Sequence, residues 1–145
     1  MKKGRLLAAT LACLSLLLAC SKGGQPSEDP AIAAIKAAQD KVAQSLLLSA
    51  MVSSKSYFVG EATYAGFDPA AASAIEPGFK WSGGGAATVG SVSIDLADGP
   101  QLVLSTRSQS GRPFCMADGA PSGIISGSVD AKGASSAAAC TGASW

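Results

Sequence analysis

No histidine occurs in this 145-residue sequence. A serine–histidine–carboxylate triad is therefore excluded, and so are the histidine-bearing zinc and iron sites. Charge of either sign is sparse: 14% of residues are charged, with 11 basic against 10 acidic. No basic patch is available to neutralise a phosphate backbone, so nucleic acid is not an expected partner. Aromatics make up only 6% of the chain, and many of the side chains left to fill a core are the small ones of Ala, Gly and Ser. Long apolar runs are missing as well. The greasy stretch Leu6–Ala19 has fourteen residues, whereas a helix crossing hydrocarbon needs about 20.

What stands at the amino terminus fits export instead. Lys2, Lys3 and Arg5 precede that stretch, and a basic region followed by roughly 7–15 apolar residues is the pattern of a secretory signal. The stretch closes on Leu17-Leu18-Ala19-Cys20, which resembles the lipobox of bacterial lipoproteins. That resemblance implies diacylglycerol on the Cys20 sulfur, cleavage before Cys20 and acylation of the new amino group. Residues 1–19 then form the signal peptide. Residues 20–30, "CSKGGQPSEDP", form a flexible tether. The expected location is the cell envelope, with the membrane engaged through lipid on Cys20. Ser21 resembles a signal for outer-membrane sorting in bacteria with two membranes.

The cysteines follow from this. Cys13 leaves with the signal and Cys20 takes lipid, which leaves Cys115 and Cys140. In an oxidising compartment an even pair suggests one bridge, worth roughly 3.5 kcal/mol by chain entropy; two buried free thiols are the alternative. Two distant cysteines offer too few ligands for a metal.

Asp29-Pro30 reads as a helix start. Ile32, Ile35, Val42, Leu46, Ala50 and Ser53 then recur at steps of three and four, with a looser gap at Gln39. The spacing predicts a helix over 31–59, whose more apolar second half packs on the domain through Leu46, Leu47, Met51, Tyr57 and Phe58. Residues 60–85, rich in Gly and Pro, predict a loop with one short helix at Ala70–Ile75, held to the core by Tyr64, Phe67, Phe79 and Trp81. From 86 to 118 the pattern alternates. Val92, Ile94 and Leu96 form one strand, Leu102, Leu104 and Thr106 a second, and Arg112–Asp118 a third. Residues 119–145 are weakly specified and would be pinned by the bridge.

The expected fold class is thus α+β: one long N-terminal helix on a small antiparallel meander of three to four strands. The order of parts resembles the globular domain of type IV pilins and pseudopilins over about Ala31–Cys140. The long helix ends in Tyr57-Phe58, "PGFKWSGGG" precedes a strand, and "SGRPFC" falls at the third strand. That resemblance implies a helix lying across a meander and a disulfide enclosing a C-terminal loop. The chain departs from pilins at its start. It has no pilin leader, no glutamate at a fifth mature position and no hydrophobic stalk. The picture is a pilin-like head on a lipid anchor.

No catalytic, metal-binding or cofactor-binding residue is expected, and the chain does not read as an enzyme. Asp95 and Asp98, and Asp118 and Asp130, read as turn carboxylates, Lys55 and Arg112 as solvated charges. Gly83-Gly84-Gly85 precedes a strand, which argues against a phosphate cradle. The expected function is a lipid-anchored extracytoplasmic interaction or structural protein, with a pilus, secretion or surface protein as partner. The alternatives are a small-ligand-binding lipoprotein and an atypical pilin subunit.

Overall fold

The computed structural model describes residues 28–120, 123–128 and 139–140. The signal peptide, Cys20 and most of the tether lie outside the described residues, as do Asp130 and Trp145. No described helix is long and apolar enough to cross a membrane.

Helix α1 spans Pro30–Glu61 and helix α2 spans Pro69–Ile75. Five strands follow: β1 (Trp81–Gly83), β2 (Val92–Asp98), β3 (Gln101–Arg107), β4 (Pro113–Ala120) and β5 (Gly123–Ser128). They form a single sheet in sequential order. The class is α+β with the long helix packed on the sheet, as expected, but the sheet has five strands rather than three or four. It is also mixed, because β1 pairs with β2 in parallel while the other pairings are antiparallel. Both additions have a physical reason. Strand β1 is three residues at the edge of a glycine run, and β5, "GIISGS", carries too few large side chains to show alternation.

Helix α1 runs straight through Gly60 and stops at Ala62, which adopts the left-handed conformation (φ 56°) and donates its N–H to the Phe58 carbonyl at 2.7 Å. Helix α2 starts as its sequence dictates: Asp68 Oδ1 accepts from the N–H groups of Ala70 and Ala71, and Pro69 occupies the first turn.

The face of α1 turned to the sheet carries Asp40, Ala43, Gln44, Leu47, Ala50, Met51 and Ser54. Its apolar members pack on Val92, Ile94, Leu102, Leu104, Phe114 and Met116. Of the series predicted from the sequence, only Ala50 is buried. Ile32, Ile35 and Val42 are exposed, and Leu46 is half-buried. Tyr64 and Phe67 are fully buried, and Tyr57, Phe58, Phe79 and Trp81 pack around them. The loop aromatics do seal the core. Trp81 also anchors its indole N–H on the Glu76 carbonyl at 3.1 Å.

The meander is buried on both faces in its centre, where alternation predicted one. Val103, Cys115 and Ala117 form a second cluster with Cys140 behind the sheet. Leu96 belongs to it too, because a register shift between Ile94 and Leu96 turns Leu96 to the far face and Ala97 to the helix face. Cys115 and Cys140 are joined by a disulfide, with Cα atoms 5.7 Å apart.

Candidate functional site

Two buried carboxylates tie α1 to the sheet, and they decide where the remaining surface lies. Near the start of the packed half, Asp40 accepts hydrogen bonds from the Ser110 hydroxyl (2.5 Å) and the Arg112 guanidinium (2.8 Å). Burial works against its charge. The hydrogen bonds from Ser110, Ser108 and Arg112 outweigh that and hold its carboxyl below the usual range. At the other end, Asp118 Oδ2 accepts from Lys55 Nζ (2.5 Å) and the Tyr64 hydroxyl (2.6 Å). Burial again opposes the charge, and Lys55 and Tyr64 again prevail, so Asp118 stays ionised. Burial, and then the bond to Asp118, push the Tyr64 phenol well above its ordinary value.

These pairs correct the reading of Asp118 as a turn carboxylate and of Lys55 and Arg112 as solvated charges. Asp118 is 6% exposed and Asp40 5%. Asp40 is held by the 108–112 turn and Asp118 by Lys55 of α1 and Tyr64, so both fasten the helix to the sheet. The glycine run also differs from expectation, since it follows β1. It leads into β2 rather than a helix, so the elements of a phosphate loop are still not assembled. Among the described residues no group of three or more Cys, Asp or Glu could hold a metal.

Fastening Asp40 to the 108–112 turn leaves a groove beside the helix. One wall is the flank of α1 at Gln39, Val42, Ala43 and Leu46. The other is Val89, Gly90 and the run Thr106–Gln109. The cavity is about 270 Å³. Hydrogen bonds hold its outer wall together. The Thr106 hydroxyl donates to the Ser91 carbonyl (2.6 Å), and Arg107 donates to the carbonyls of Ala87 (3.3 Å) and Gly111 (2.8 Å). Val89 bridges Arg107 through the backbone. Across the mouth, Gln39 donates to Gln109 over a long 3.4 Å.

The groove continues along the helix as an apolar stripe. Residues 30–38 of α1 are exposed throughout. Ile32 (48% exposed) and Ile35 (59%) stand on the same flank as Val42 (71%) and Leu46, and Val89 (49%) faces them from the wall. Large apolar side chains in a contiguous exposed row mark an interaction surface more than scattered ones do. A second row on the opposite flank, Leu48, Val52 and Val59, is flanked by Lys41 and Lys55. The stripe's residues were visible in the sequence. Their outward direction was not, because the interleaved series Ala43, Leu47, Ala50 and Met51 has the same spacing.

The chain matches no protein-family model, no curated protein and no solved structure. The site therefore stands on its geometry alone.

Proposed function

We propose that this protein is a lipid-anchored extracytoplasmic interaction protein. It would be held to the envelope through lipid on Cys20 and would dock a protein partner on the stripe and groove of α1. The observation that carries the reading is the exposed row Ile32, Ile35, Val42, running into a walled apolar groove and starting twelve residues beyond Cys20. The lipobox-like residues 17–20 and the basic start of the chain support the anchor. The long helix over a mostly antiparallel sheet, with a disulfide from β4 to the chain beyond β5, supports the pilin-like reading of the domain. The five-strand mixed sheet departs from the simple meander of that picture. A pilus, secretion or surface protein is the class of partner that such a head would meet.

Two measurements test this. Intact mass of the mature protein should show a blocked, acylated Cys20 at the amino terminus, and Cys20→Ala should leave the envelope fraction. A photo-crosslinking side chain at Ile35 should give a discrete protein adduct in intact cells, while one at the exposed Lys80 should give none. An unacylated amino terminus removes the anchor, and equal labelling from both positions removes the docking surface.

A second reading is favoured by the polar groups at the groove, where Gln39, Thr106, Arg107, Ser108 and Gln109 line the cavity together with Val42, Ala43, Leu46 and Val89. A small amphipathic ligand fits that chemistry. Co-purification of a small molecule that protects Val42 and Val89 from solvent labelling would establish it.

A further inference from the structure

The exposed stripe has a more specific pattern than apolarity. Ile32, Ile35, Gln39, Val42 and Leu46 follow one another at intervals of 3, 4, 3 and 4 residues, which is the seam of a coiled coil with a polar residue at one inner position. A seam of this kind is complete only when a second helix covers it; the domain's own core covers part of Leu46 alone and leaves Ile32, Ile35 and Val42 exposed, because the sheet-facing residues of α1 lie on another flank.

We propose that the covering helix is the α1 of a second copy of this chain, running antiparallel. The proposal rests on the docking surface described above and names its occupant. In the antiparallel register Ile35 of one copy packs against Leu46 of the other, and Gln39 against Val42, so each contact occurs twice about a two-fold axis. The two halves of the stripe are complementary in shape. Residues 30–38 are exposed on all sides, and residues 39–46 are walled on one side by Val89 and Gln109. An antiparallel pair lays the bare half of each helix beside the walled half of the other. A parallel pair would bring two walls to the same level and leave both bare halves beyond them. Ala38, Ala43 and Ser45 flank the seam and permit close approach, and the flanking Lys36 lies level with Ser45 of the other copy rather than with a like charge.

The seam is short, five positions per copy from Ile32 to Leu46, so the pair is a small interface and should be reversible. With the axis normal to a membrane, the two Pro30 ends lie about 30 Å apart at one height, so both copies can be anchored at once.

The test uses the full chain in intact cells. Ile35→Cys and Leu46→Cys are expressed singly and together, and the cells are treated with a mild oxidant. Expected is a reducible dimer only when both are present, with mass spectrometry locating the 35–46 link. A dimer from Ile35→Cys alone shows a parallel pair and overturns the proposal, and so does no dimer from the mixture. As a second measurement, the detergent-extracted chain at tens of micromolar should sediment as a dimer. Val42→Asp should weaken association more than tenfold with an unchanged circular dichroism spectrum. A monomer before substitution overturns the proposal. The photo-crosslinker at Ile35 separates the two levels: an adduct with a different protein alongside an unlinked cysteine mixture sinks the pair and keeps the docking surface, and no adduct of any kind sinks both.

Discussion

The two halves of α1 are built from similar residues and do opposite things. Residues 30–38 read PAIAAIKAA and bury nothing, while residues 43–54 read AQSLLLSAMVSS and supply one side of the core. The second carries the larger apolar side chains, Leu46, Leu47, Leu48 and Met51, and it lies between two carboxylate contacts. Asp40 and Asp118, fastened to Arg112 and to Lys55 with Tyr64, mark the ends of the contact with the sheet. A helix of 32 residues is about 48 Å long, more than a five-strand sheet needs, and the fasteners determine which part of that length is used. The surplus, residues 30–38, is exposed.

That contrast can be broken in steps, from the largest effect to the smallest. Leu47→Ala, in the buried half, removes a fully buried side chain and should cost about 3–5 kcal/mol in denaturant unfolding. Ile35→Ala, in the exposed half, should stay within about 0.5 kcal/mol of the parent in the same assay. If the two were equal, the division of the helix would be wrong. Cys115→Ser with Cys140→Ser should cost roughly 3.5 kcal/mol while leaving the helix signal in circular dichroism intact, because the bridge lies on the face away from α1. Asp118→Asn should cost about 2–3 kcal/mol, since Lys55 and Tyr64 lose a charged partner that is itself buried. Asp40→Asn should cost less, about 1 kcal/mol, because its cationic partner Arg112 is 66% exposed in its side chain.

Both carboxylates have folded-state pKa values below their ordinary ones. Their contribution is therefore complete above the unfolded carboxylate value of about 3.9 and is lost as pH falls through the lower folded values. Acid unfolding monitored by tryptophan fluorescence should show this loss, and the Asp40→Asn, Asp118→Asn double variant should have a visibly shallower acid limb. The smallest effect runs the other way. Ala62→Gly relieves a left-handed alanine at the helix end and should raise stability by up to about 1 kcal/mol.

The sequence made one half of this legible. The helix, its start at Asp29-Pro30, the short second helix and the hairpin of β2 and β3 all follow from local spacing and turn residues. The bridge followed from counting cysteines. Strands β1 and β5 did not, because three residues beside a glycine run, and six residues of which four are Gly or Ser, carry no readable alternation. The fasteners did not either. Asp40 meets Ser110 across 70 positions, and Asp118 meets Lys55 across 63, and no local pattern announces a partner that far away. The groove was missed for the same reason, because its outer wall at Val89 and Thr106–Gln109 is brought to the helix by those long-range contacts. Gly119 carried a quieter signal. A Cβ at that position would overlap the Pro100 carbonyl oxygen, so the β4 backbone passes hard against the β2–β3 turn, and only glycine allows it.

The disulfide also settles how the domain would carry mechanical load. Cys140 lies beyond β5, but its partner is in β4, which is hydrogen-bonded to a neighbour on each side. Tension applied past Cys140 thus bypasses the edge strand and reaches the interior of the sheet through a covalent link. A pull from the opposite end arrives through the packed half of α1. Stretched between a surface and a neighbour, the domain should resist as one body, and β5 cannot be peeled away first.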